Sequence, residues 1–149
     1  MAIYRPSRAR WPIALAAAVV GVAIGLVAGL SLADTGPHPG AVVSDVRANV
    51  RAATALLDVV KVEYQEAVSG GEVTTVQEYG GARDALGRSR ARFDRAARVL
   101  EPLDHEAAER IGDAYQRLAQ MMGETAPAQD VLDQIDRLAS LLEDIAGPR

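Results

Sequence analysis

Four consecutive stretches of this chain each carry an apolar stripe at alternating spacings of four and three, and short breaker sequences separate them. That rhythm is the period of an α-helix burying one face, and it does not fit a strand. In the first stretch the stripe is Val46, Val50, Ala53, Leu57, Val60 and Tyr64, stopped by Ser69-Gly70-Gly71. In the second it is Tyr79, Ala82, Leu86, Ser89, Phe93, Ala96 and Leu100, ending before Pro102. The third opens on Asp104, a good N-cap, and runs through Ala107, Ile111, Ala114, Leu118 and Met121 to Gly123. The fourth follows Pro127, which suits a first helical turn, with Val131, Ile135, Leu138, Leu142 and Ile145 before Gly147-Pro148. Four amphipathic helices joined by short turns predict an all-α, antiparallel up-down-up-down bundle over residues 41–149. The first two helices are expected to be the longer pair, and their hairpin to project past the others by about one or two turns.

Upstream, Arg5, Arg8 and Arg10 precede an uncharged, mostly apolar run from Pro12 to Leu32. A run of that length can cross a bilayer. The basic residues 1–10 would stay in the cytoplasm, residues 11–33 would form the span, and the rest would lie outside. The expectation is a single-pass anchor in the cytoplasmic membrane. The alternative is a signal peptide cleaved before Asp34, after Ser31-Leu32-Ala33, which would leave a periplasmic or secreted domain. Gly21, Gly25 and Gly29 form a small-xxx-small ladder on one face of that span, the pattern by which membrane helices approach closely, so a homodimer through this helix is one expectation. Residues 34–40, with Gly36-Pro37-His38-Pro39-Gly40, read as a helix-incompatible linker.

All twenty acidic residues and thirteen of the sixteen basic ones follow the apolar run, giving this part a net charge of −7 and arguing against a nucleic-acid partner. With no cysteine there is no disulfide, thiolate metal site or covalently attached haem. No nucleophile elbow, phosphate loop or zinc spacing occurs, so a binding module is expected rather than an enzyme.

Glu63 and Glu66 stand three apart on one helix surface, and Glu72 and Glu78 follow the first turn, so four carboxylates are expected near one end of the bundle. Oxygen ligands of this kind suit hard cations such as iron, calcium or magnesium. Tyr64 and Tyr79 flank the same turn and are expected to pack together, with their hydroxyls seeking partners at the bundle end. His105-Glu106 and Glu109 read as an outward-facing first turn, and His38 as a lone exposed residue. The second helix carries Arg83, Arg88, Arg90, Arg92, Arg95 and Arg98. Pairing with the acidic helices on either side is the expected arrangement, and an anion or lipid-headgroup surface is the other reading.

The stretch Leu56-Leu57-Asp58-Val59-Val60-Lys61-Val62-Glu63-Tyr64-Gln65-Glu66-Ala67-Val68, followed by Gly71-Glu72-Val73 and Glu78-Tyr79, resembles a known pattern. It is similar to the helical extracytoplasmic region that precedes the permease in bacterial members of the high-affinity iron/lead permease family. Glu63, Tyr64, Ala67, Val68, Gly71, Val73, Glu78 and Tyr79 carry the match, over about twenty-five residues, with a looser echo through Phe93. Two departures stand out: the permease helices with their Arg-Glu-x-x-Glu motif are absent from this sequence, and Gly80-Gly81-Ala82 replaces a methionine expected after Glu-Tyr. The resemblance implies an accessory domain in iron uptake that is not itself a channel and that partners a separate iron permease, with iron as the cation. A structural or signalling bundle that self-associates through its membrane helix, with no metal role, is the alternative expectation.

Overall fold

A computed structural model describes residues 39–147, and a boundary between residues 41 and 42 divides the chain into two units. The bundle belongs to the second. The expected membrane span, its glycine ladder and His38 lie outside the described residues, and among those described no helix is long and apolar enough to cross a membrane. Four helices are present: α1 (Pro39–Ala67), α2 (Val76–Leu100), α3 (His105–Gly123) and α4 (Ala128–Ala146). Helix α1 starts inside the expected linker, because proline is tolerated in a first turn whose amide would have no partner in any case.

The first turn is more than a helix stop. Two-residue strands β1 (Val68–Ser69) and β2 (Glu72–Val73) pair antiparallel, Val68 opposite Val73, across a turn with Gly70 at φ +62° and Gly71 at φ +82°. Two successive positive φ values are what a tight hairpin needs and only glycine adopts freely, so Gly70-Gly71 sets the register. The Thr74 amide and hydroxyl both donate to the Ala67 carbonyl, at 2.8 and 3.1 Å, and satisfy the end of α1.

Local signals set the other turns. The Asp104 carboxylate accepts from the Ala107 amide at 2.9 Å, closing the start of α3. Asp104→Ala is expected to cost about 1 kcal/mol, read as a lowered midpoint in urea at unchanged slope. Between α3 and α4, Thr125 sits at φ +51°, a costly conformation for a β-branched residue. Its hydroxyl bonds to the Gly71 carbonyl at 3.0 Å and holds it there.

The stripes meet in one core. Residues Val46, Val50, Ala53, Leu57, Val60 and Tyr64 of α1 are all buried, as are Ala82, Leu86, Ser89, Phe93 and Ala96 of α2. In α3 the buried set is Ala107, Ile111, Tyr115, Leu118 and Met122. Ala114 and Met121 are only half-buried, which corrects the expected stripe by one residue at two positions. The reason is Tyr115, whose hydroxyl bonds to Ser89 at 2.8 Å while its ring packs on Phe93 with centroids 5.7 Å apart. Ser89 in turn donates to the Ala53 carbonyl at 2.8 Å, so α1, α2 and α3 share a buried polar link.

Cross-helix bonds give the topology. Lys61 pairs with Asp136 at 2.6 Å and Arg47 donates to the Ala146 carbonyl at 3.2 Å, so α4 lies beside α1 with its C-terminus near the start of α1. The β-hairpin meets the α3–α4 turn at the other end, through Thr125 and Gly71. The hairpin therefore does not project, contrary to the expectation from helix lengths. It is held level with the opposing turn, and the additional length of α1 precedes Arg47 instead.

Candidate functional site

The end of the bundle that carries the hairpin brings two Glu-Tyr pairs together, Glu63-Tyr64 from the end of α1 and Glu78-Tyr79 from the start of α2. Tyr64 is fully buried and its hydroxyl donates to the Ala126 carbonyl at 2.8 Å. Tyr79 is half-buried and donates to the Met122 carbonyl at 2.5 Å. The rings lie 6.2 Å apart at 44°, a tilted contact. Both tyrosines thus fasten the first hairpin to the α3–α4 turn through its main-chain oxygens, the Met122 carbonyl accepting from the Thr125 amide as well. Burial, and secondarily the neighbouring Tyr79, pushes the Tyr64 hydroxyl up to about 12. It therefore stays a neutral donor at ordinary pH.

The glutamates divide into two sorts. Glu66 and Glu72 are exposed to solvent. Glu63 is half-buried in the seam between α1 and α2, and Glu78, in the first turn of α2, is half-buried as well. Gly81 shows why the seam holds a carboxylate: a Cβ at that position would lie 2.9 Å from Glu63 Oε2 and 3.3 Å from its Cδ. The missing side chain is the room in which the Glu63 head sits. Glu78 is one helical turn before Gly81 on the same helix. Its Oε2 is buried and has no hydrogen-bond partner among the described residues.

Of the expected gathering of Glu63, Glu66, Glu72 and Glu78, two are thus half-buried and two stand in solvent. Among the described residues no group of three or more His, Cys, Asp or Glu side chains is placed to hold a metal ion. Within the Gly80-Gly81 departure noted in the sequence, Gly81 is what opens the seam to Glu63, a role that spacing alone does not reveal.

The other candidates lie apart. His105 is exposed, with Glu101 at the end of α2 and Glu109 on its own helix each 3.8 Å away. Among the α2 arginines, Arg88 pairs with Asp84 at 3.1 Å and Arg90 with Asp94 at 2.8 Å, both within the helix and not with α1 or α4 as expected. Arg90 also donates to the Gly112 carbonyl of α3 at 2.9 Å. Sequence reasoning missed Tyr115 as a core residue. Burial pushes its hydroxyl up to about 12, against the opposing pull of Ser89 and Arg90.

In comparisons with known proteins, a family model described as the iron permease-associated 4-helix bundle domain matches residues 39–148. No curated protein and no solved structure matches this chain.

Proposed function

Since this chain belongs to the family of iron permease-associated 4-helix bundle domains, we propose that it serves iron uptake as a membrane-anchored extracytoplasmic accessory module that binds the cation beside a separate permease. In this reading it neither conducts iron nor catalyses a reaction. The observation that carries it is the buried Glu78 Oε2, without a hydrogen-bond partner among the described residues, one helical turn before the Gly81 against which the Glu63 carboxylate lies. A buried carboxylate oxygen without a donor is costly, and a hard cation or a cation-bound water removes that cost. Glu63 and Glu78 would be the ligands, and Glu66 and Glu72 an outer rim that raises the local cation concentration.

The test is calorimetric titration of the full chain in detergent with ferrous iron under anaerobic conditions, and with chelated ferric iron beside a chelator-only control. Saturation near one ion per chain is expected. Glu63→Gln and Glu78→Gln should each weaken it by about tenfold or more, because each removes one of only two anionic ligands. Glu66→Gln, on the exposed face, should change it little. Equal binding by all four proteins, or no binding, would remove the seam as an iron site.

One observation favours a second reading, that of a structural bundle without metal. The two tyrosine hydroxyls secure the hairpin to the α3–α4 turn by themselves. In that case the seam variants leave every iron titration flat, while tyrosine variants still lower stability.

A further inference from the structure

Helix α1 has a second apolar face that α2 covers only in part, with Ala52 and Leu56 half-buried and the rest exposed. Ala48, Ala52, Ala55, Leu56, Val59 and Val62 recur on the side turned away from the core stripe, with Val59 40 % and Val62 56 % exposed. Between this face and α2 runs an open groove of about 490 Å³, floored by Ala52, Ala55, Leu56 and Ala91 and edged by Arg88, Arg92 and Arg95. The arginines stand four and three apart, so they form a line along the groove about 10 Å long. Arg51 stands on the opposite flank of the α1 face.

The charge here runs against the rest of the domain. Only Arg88 has an acidic partner, Asp84 on its own helix, and both side chains are mostly exposed. Among the described residues Arg92 and Arg95 make no ion pair or hydrogen bond. The exposed face of α4, by contrast, carries Asp130, Asp133, Asp136, Glu143 and Asp144. A domain of net negative charge has thus gathered unpaired guanidinium groups beside its partly covered apolar stripe.

From this juxtaposition we propose that the α1–α2 face is a docking surface for an anionic lipid bilayer. The arginines would bind headgroup phosphates, and Leu56, Val59 and Val62 would enter the interfacial layer. Guanidinium forks match phosphate oxygens, and a basic line beside an apolar stripe is the pattern by which helices lie on anionic membranes. The groove favours lipid over a protein helix because its cationic edge, Arg88, Arg92 and Arg95, lies beside an apolar stripe, the complement of a phosphate layer over an acyl layer.

The absence of cysteine makes the test direct. A nitroxide is attached to Val59→Cys in the full chain, and for comparison to Asp113→Cys on α3. The protein is placed in nanodiscs of phosphatidylcholine alone or with about one-third phosphatidylglycerol. The Val59 label is expected to lose several-fold of its accessibility to a water-soluble relaxation agent, and to gain accessibility to oxygen, only in the anionic discs. The Asp113 label should not change. Arg92→Glu/Arg95→Glu should abolish the protection. Arg92→Gln/Arg95→Gln is used in its place if helicity is lost, and should weaken the protection. Equal protection in both disc types, no protection in either, or protection that survives charge reversal overturns the proposal. Protection by millimolar inorganic phosphate without lipid would assign the line to a free anion. A label already immobile in detergent at doubled mass would assign the face to a second copy of the chain. Either result also overturns it.

Discussion

Replacing Tyr64 by alanine is expected to destabilise the bundle by about 3–5 kcal/mol, the range for deleting a large buried ring. Few single changes should cost more. Tyr64 is wholly buried, packs against Tyr79, and donates from the end of α1 to Ala126 beyond α3. Its loss opens a cavity and unfastens two turns in one step. Against a total stability of about 5–15 kcal/mol for a domain of this kind, the melting temperature should fall by about 10–20 °C. Tyr64→Phe separates the two contributions. It keeps the ring and removes the hydroxyl, so about 1–2 kcal/mol should be lost. Chemical denaturation of the three proteins measures this directly. A Tyr64→Ala protein within 1 kcal/mol of the parent would show that the hairpin is not held by this residue.

Alkaline titration should unfold the protein cooperatively between pH 10 and about 12. Tyr64 and Tyr115 both have folded-state values raised from 10.0 to about 12, in each case chiefly because burial disfavours the phenolate. An unfolded chain gives up these protons near pH 10, whereas the folded one keeps them. The stabilisation is therefore fully present below pH 10 and is lost as pH rises through the folded values. Each tyrosine removes about 2 kcal/mol by pH 12, and together they take a large part of the margin. Circular dichroism and tyrosinate absorbance should change in one concerted step. Tyr64→Phe/Tyr115→Phe should be less stable at neutral pH yet lose less between pH 10 and 12. Gradual tyrosinate formation with helicity intact past pH 12 would show that neither phenol is held protonated by the fold.

Both predictions rest on residues that the sequence treats unequally. Tyr64 falls on the α1 stripe, and its neighbour across the turn is marked by Tyr79, so their contact was legible from spacing. Tyr115 was not. Ala114 and Tyr115 are adjacent, and either continues the α3 stripe to within a fraction of a turn. The choice between them depends on Ser89 and Phe93, which belong to another helix. The same limit applies to the glutamates. Spacing could place Glu63, Glu66, Glu72 and Glu78 near one turn, but not show which of them enters the α1–α2 seam. That depends on Gly81, whose missing side chain matters only once α2 is packed on α1.

Four helices, their turns and most of their buried faces were legible in the chain, because these follow from periodicity and from breaker and capping residues acting over a few positions. Tertiary structure alone decided the phase of α3, the docking of the hairpin on the α3–α4 turn, and the separation of Glu63 and Glu78 from Glu66 and Glu72. It also left Arg92 and Arg95 unpaired beside a partly covered apolar face. Each of these outcomes depends on which atoms a neighbouring helix presents at a given height. A local pattern fixes which way a side chain faces; only packing supplies what it meets there.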